Sequence, residues 1–172
     1  YTKKFFRDYV KEKKYESLID LGCGPATEFF AYKEDYPELK YVGVDSSEFL
    51  YKKNVEKGVP MIMAEAAYVP LLKDSSYDVV YCRHVLEHQP KFLPILSEMI
   101  RLAKKEAIHV FFIIPGDEEI IDYDDRQNLY HNTFSKPDIE NYLNSHYDVS
   151  EFKWIQLTET EAALCITKIP LE

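Results

Sequence analysis

An apolar run, Leu18-Ile19-Asp20-Leu21, runs straight into Gly22-Cys23-Gly24. It reads as a buried strand entering a turn where the backbone must pass very close to another group. Gly22 and Gly24 have no Cβ, so both accept a positive φ and let a ligand lie against bare N–H groups. Asp20 adds a fixed acceptor near the strand's end. In an open α/β sheet, such a loop at the carboxyl end of the first strand is a site for nucleotide-like ligands. The dinucleotide fingerprint Gly-x-Gly-x-x-Gly lacks its third glycine here, because Pro25, Ala26 and Thr27 follow. The Gly-Lys-Ser/Thr of a phosphate-binding loop is also absent.

The rest of the chain alternates between two periodicities. Strands are expected over 17–21, 41–44, 61–64, 77–82 and 108–114. Helices are expected near 28–35, 49–57 and 91–104, with Gly58 stopping the second. Phe5, Phe6, Tyr9 and Val10 share one face of a helix within 1–14. After Pro115-Gly116 comes an acidic, aromatic loop, and 117–134 is assigned to the acceptor side. A helix over 136–145 follows, with Ser135 as its N-cap. Two strands, 147–157 and 162–168, then form a hairpin. Strands alternating with helices predict an α/β fold, a mostly parallel seven-stranded sheet with helices on both faces. The terminal hairpin must bring in an antiparallel strand. No linker divides the chain, so residues 1–172 are expected to form a single domain.

Composition narrows the partners. The 172 residues carry a formal net charge of −9, which argues against a sequence-independent grip on nucleic acid. Cys23, Cys82 and Cys165 are odd in number and widely spaced, as in a reducing, cytoplasmic setting. The longest apolar run, 110–114, is far short of the ~20 residues of a membrane-spanning helix. No membrane partner and no signal peptide are expected. Because Tyr1 is not Met, residues before it are left open, as is the oligomeric state.

Asp45 closes the second strand at about the spacing from Asp20 at which an acid hydrogen-bonds a ribose. Its two acceptor oxygens match the two donors of a ribose diol. Ser46 and Ser47 follow, so a helix cap is the competing reading.

The segment Asp20-Leu21-Gly22-Cys23-Gly24-Pro25-Ala26 resembles motif I of class I S-adenosylmethionine-dependent methyltransferases. The likeness is closest to the methyltransferase domain 11 subgroup at Tyr81-Cys82-Arg83-His84-Val85-Leu86-Glu87-His88, where the fourth strand is commonly followed by His-Val-Leu-Glu-His. It extends over about 18–168 and implies a Rossmann-like methyltransferase fold that uses S-adenosyl-L-methionine. Gly22, Cys23, Gly24, Asp45 and Ser46 would then hold the cofactor with Asp20. Glu65 and Ala66 stand where the subgroup meets the adenine. Cys82 and Arg83 would line the pocket, partly through backbone atoms, and His88 would approach the methionine end. The segment Tyr130-His131-Asn132-Thr133-Phe134-Ser135 resembles the His-x-x-Phe-Ser stretch on the acceptor side. His131 is the first candidate base, His84 the second, with Tyr130 beside them. A histidine serving only to cap the helix is an equal reading of His131. Three departures stand out: Ala26 for the third glycine, Glu65 for the usual Asp, and Leu102 to Glu106 for the usual Leu-Lys-Pro-Gly-Gly turn.

The resulting expectation is methyl transfer to a small-molecule acceptor, a sugar or other metabolite, at an O, N or C atom, with no metal. Two other readings stand beside it. His84-x-x-Glu87-His88 matches the inverted zinc-peptidase motif, with Glu87 as base and a third ligand from Glu151, Glu159 or Glu161. A non-catalytic S-adenosylmethionine-binding module is the other.

Overall fold

The computed structural model describes residues 1–170. Leu18 and Ile19, side by side on the first strand, are both fully buried. Successive side chains on a strand point to opposite faces, so this sheet is covered on both. The first helix, α1 (Thr2–Glu12), buries Phe6 and Val10, one turn apart. Then come β1 (Ser17–Leu21), α2 (Thr27–Asp35), β2 (Lys40–Asp45), α3 (Glu48–Glu56), β3 (Met61–Met63) and β4 (Tyr77–Arg83). A 3₁₀ turn, Leu86–His88, leads to α4 (Leu93–Leu102) and β5 (Ala103–Phe111). Two short strands, β6 (Tyr123–Asp124) and β7 (Leu129–Tyr130), precede α5 (Lys136–Ser145), β8 (Val149–Gln156) and β9 (Ala162–Lys168).

The seven-stranded sheet has the order β3-β2-β1-β4-β5-β9-β8. Strands β1 to β5 run parallel, and β9 is antiparallel to both β5 and β8. This is the expected mixed sheet of a Rossmann-like methyltransferase. One core cluster packs Ile19, Val80, Cys82 and Phe111 against α4 and α5. The other packs Leu18, Val79, Tyr81 and Ile108 against α1 and α2. The order reverses between β1 and β4, and such a switch point opens a crevice at the carboxyl ends of the strands.

Several boundaries differ from the sequence expectation. The fifth strand starts at Ala103 and ends at Phe111 instead of covering 108–114. It starts early because the ladder to β4 already begins at the Tyr77–Ala103 pair, and within it Glu106 is buried, accepting from Tyr15 Oη at 2.7 Å and Tyr9 Oη at 2.9 Å. It ends early because the ladder to β9 runs out at the Phe111–Ala162 pair. The next amide, Phe112 N, donates to Glu87 Oε1 at 2.6 Å, and the chain leaves the sheet. Ser47, not Asp45, caps α3, its hydroxyl accepting from Leu50 N at 3.3 Å. Ser135 caps α5 as anticipated. The acidic loop after Gly116 carries the small β6–β7 pairing, Tyr123 opposite Tyr130.

Candidate active site

A cleft of about 480 Å³ opens over the switch point, its wall including Gly22, Asp45, Ser46, Glu65, Ala66, His84 and His88. A second cavity of about 210 Å³ shares Gly22 with it and is lined by Lys3, Asp20, Cys23, Gly24, Thr27, Glu28 and Arg83. Asp45 and Glu65 therefore line one space and Asp20 the adjoining one. Asp20 lies two residues after Leu18, on the same face of β1, and that face is the one α1 and α2 cover.

The glycine bend works differently from the expectation of bare N–H groups. Gly22 N and Cys23 N both donate to Val44 O, at 2.8 and 3.0 Å. Gly24 N donates to Asp45 Oδ2 at 2.9 Å. The loop's amides are thus committed to β2, and what the glycines contribute is closeness. Gly22 has φ +71°, and a Cβ there would sit 2.5 Å from Val85 Cγ2. Above Gly24, at φ +55°, a Cβ would meet nothing within 4 Å. This is an open floor on which a ligand can rest against backbone.

Asp45 spends one lone pair of each carboxylate oxygen on the protein, since Oδ1 also accepts from Ser47 N at 2.9 Å. Each oxygen keeps a second lone pair, and the side chain lines the cleft. Asp20 is buried and accepts from Tyr41 Oη at 2.7 Å. Burial pushes its pKa up to about 7, against the opposing pull of Tyr41.

Beyond β4 the predicted residues divide. The Cys82 side chain is fully buried in the α4/α5 core, so only its backbone can reach the rim. Arg83 lines the second cavity and pairs with Glu161 Oε1 at 2.7 Å. His84 takes φ +58°, a conformation that is uncommon for a residue with a side chain. Its Nε2 lies 2.8 Å from the same Glu161 oxygen. His88 Nδ1 lies 2.8 Å from Tyr130 O. A carbonyl only accepts, so Nδ1 carries the proton there.

Of the three acceptor-side candidates, His84 alone is on the cleft wall. The His131 ring stands behind His88, with centroids 5.3 Å apart, and its Nε2 is buried with no partner among the described residues. Tyr130 lends its carbonyl to His88 while its ring meets Tyr123, 4.8 Å away. Phe112 lies between, its centroid 5.0 Å from that of His84 and 5.2 Å from that of His88.

The inverted zinc-peptidase reading needs His84 and His88 on one helical face with Glu87 beside them. Here the 3₁₀ turn spans only Leu86–His88. Glu87 is fully buried, bonded to Phe112 N and 3.5 Å from His109 Nε2. Burial would raise its pKa, but His109 and the backbone donors prevail and hold it below the usual carboxylate range. It is a structural anion turned away from the cleft and cannot act as base to a water there.

The model of a methyltransferase domain family, the domain 11 subgroup, matches residues 19–111, more than half of the chain. The chain belongs to the class I S-adenosylmethionine-dependent methyltransferases. It is similar to a demethylmenaquinone methyltransferase of Lactococcus lactis, 30% identical over 51% of this chain and 38% of that one. A trans-aconitate 2-methyltransferase of Deinococcus radiodurans is 26% identical over 59% of this chain and 40% of that one. The solved magnesium protoporphyrin IX methyltransferase of Synechocystis, with bound S-adenosylhomocysteine, superposes with a TM-score of 0.69 at 14% identity, covering 98% of this chain and 82% of that one. This chain spans about two fifths of the length of the curated relatives it matches.

Sequence reasoning missed part of the lining of these two cavities. Lys3, Thr27 and Glu28 enter the second cavity from α1 and α2, and no local pattern marks them. Glu161, which the sequence offers only as a third ligand in the zinc-peptidase reading, reaches the rim from just before β9. Asn132 is fully buried, its side chain joining Gln89 O and Asp122 N, each at 2.8 Å. In the sequence nothing sets it apart from the other residues of the 130–135 segment.

Proposed function

We propose that this chain transfers the methyl group of S-adenosylmethionine to a small-molecule acceptor. The observation that carries the reading is the meeting of Asp45, Glu65 and the Gly22 bend on one cleft wall. The donor set fits the cofactor. Asp45 has lone pairs for a ribose diol, with Ser46 beside it. Glu65 and Ala66 would meet the adenine. The second cavity offers Lys3 and Arg83 to a carboxylate and Asp20 and Glu28 to an ammonium, the two charges of an amino acid end. Cys23 and Gly24 would form its floor, with His88 across the cleft. When bound, the cofactor supplies an electrophilic methyl on a sulfonium that departs as a neutral thioether. The chain's own contribution is to place the acceptor in line and exclude water.

Support for a small acceptor comes from the names of the relatives, which act on demethylmenaquinone and trans-aconitate, and from the chain's net charge of −9. The acceptor would enter beside His84, with His131 and Tyr130 behind His88 and the 117–134 segment as the outer wall. Residues 1–172 would act as one methyltransferase domain. The three free cysteines favour a cytoplasmic setting, and no helix among the described residues is long and apolar enough to cross a membrane.

Calorimetry with S-adenosylmethionine and S-adenosylhomocysteine tests the proposal. Both should bind the wild type, and Asp45→Asn should weaken them about tenfold or more. Absence of binding by both ligands, with Asp45→Asn indistinguishable from wild type, ends this reading. Binding without turnover across an acceptor screen would favour the non-catalytic module instead.

A further inference from the structure

The strained His84 has a use. Its backbone is held in the left-handed region by a hydrogen bond from His84 N to Val110 O at 2.9 Å, and such strain persists only where the surroundings enforce it. The consequence is that the ring turns back over the sheet rim to meet Glu161 from the β8–β9 hairpin. Glu161 is anchored on three sides: Oε1 to Arg83 and to His84, Oε2 to the Thr2 hydroxyl of α1 at 2.5 Å. Burial would raise its pKa, but Thr2, Arg83 and His84 prevail and hold it below the usual range. An ionised carboxylate only accepts hydrogen bonds, so His84 Nε2 must carry the proton.

We propose that Glu161 is a positioning residue for the transfer reaction. It fixes His84 with Nε2 protonated, leaving Nδ1 as an open lone pair beside the cleft that receives the acceptor's proton. Nδ1 makes no hydrogen bond among the described residues, and His84 is one of the residues lining the cleft. Burial, and then Arg83, lower the His84 pKa against the pull of Glu161 and Glu87. The ring is therefore neutral, and able to accept, at pH 7. The remaining groups around it are rings: Phe112, and beyond it those of His88 and His131. In the transfer, the acceptor's lone pair forms the bond to the methyl carbon. The old carbon–sulfur pair stays on sulfur, and the acceptor's proton passes to Nδ1. A carboxylate orienting an imidazole for this purpose is a familiar pairing in other enzymes. Here it would make the antiparallel hairpin, otherwise remote from the cofactor, part of the catalytic rim.

This inference rests on the proposed function, and the test separates the two. Long-range 15N–1H spectra of the histidine-labelled full chain, with His84→Gln to assign the signal, should show His84 neutral and protonated at Nε2 at pH 7.5. His88 should show the opposite tautomer. Glu161→Gln should lower the His84 titration midpoint by about one pH unit and mix its tautomers. Arg83→Gln should raise the midpoint, which keeps the test alive if Glu161→Gln does not fold. A wild-type His84 protonated at Nδ1 overturns the proposal, as does a midpoint that neither variant moves. Calorimetry with S-adenosylhomocysteine on the same wild-type sample reports on the proposed function alone. Binding with the wrong tautomer sinks the role of Glu161 and leaves the methyl-transfer reading standing, whereas no binding with the right tautomer sinks the methyl-transfer reading and, with it, the use of the pair in that transfer.

Discussion

Gly22 and Gly24 both adopt positive φ, yet their surroundings differ. Any side chain in the left-handed region costs about 1–2 kcal/mol. At Gly22 a new Cβ would also press on Val85, a β-branched side chain with little rotamer freedom. Gly22→Ala is therefore expected to lose more stability than Gly24→Ala in urea denaturation. At Gly24 the loss should stay near the backbone cost, while cofactor binding suffers because the open floor fills. Equal losses at both positions would mean that Val85 does not set the geometry of the bend. Ala26 shows the other side of the rule. It holds the position of the missing third glycine and takes φ 52° all the same, with its methyl fully buried in the α1/α2 core. The sequence marked the bend correctly but misjudged its amides, because their partners lie on β2 and are invisible from β1.

The segment from Phe112 to Ser135 is fastened by buried polar groups. Glu87 accepts the Phe112 amide through its side chain and the Asn132 amide through its carbonyl, at 2.6 and 2.9 Å. Asn132 in turn ties Gln89 to Asp122. Replacing Asn132 with Ala leaves the half-buried Gln89 carbonyl and the Asp122 amide without their partner, a loss of about 1 kcal/mol. The expected result in hydrogen exchange is faster exchange of the amides between Asp117 and Thr133, with β1 and β4 unchanged. Unchanged exchange in that segment would show that the β6–β7 pairing holds it without Asn132. Because this strap positions Tyr130 and His131 behind His88, the variant also separates acceptor handling from cofactor binding.

The pH dependence of stability belongs to the molecule as a whole, where oppositely shifted groups compete. Asp78, Glu87 and Glu161 have lowered pKa values. Their stabilisation is present above the unfolded value and lost as pH falls through the folded one. Asp20 acts in the other direction, raised from 3.8 to about 7. Its contribution is complete below pH 3.8 and disappears as pH rises towards 7. Asp20→Asn keeps an acceptor for Tyr41 but has nothing to ionise. The variant should gain on the wild type between about pH 4 and 7 and run parallel to it above that. Denaturation curves across pH 4–9 check this, and a constant difference throughout would contradict the raised pKa.

The sequence by itself determined the order of strands and helices, the bend at Gly22, and acids at the tips of the first two parallel strands. These follow from short-range rules: side-chain period, glycine conformation and strand-end spacing. It also marked His84 and His131 as base candidates and His88 as a cofactor contact, through a resemblance carried by two separate segments, 81–88 and 130–135. Only the tertiary structure decided which of them face the cleft, since that depends on β4 being followed by a left-handed residue, His84, and on Glu87 drawing the chain out of the ladder after β5. It alone turned Asp20 towards α1 and α2, buried the Cys82 side chain, and delivered Glu161 to the rim from 77 residues away. Contacts between segments so distant in sequence are set by how two sheet edges and a hairpin pack together, and no local pattern encodes that packing.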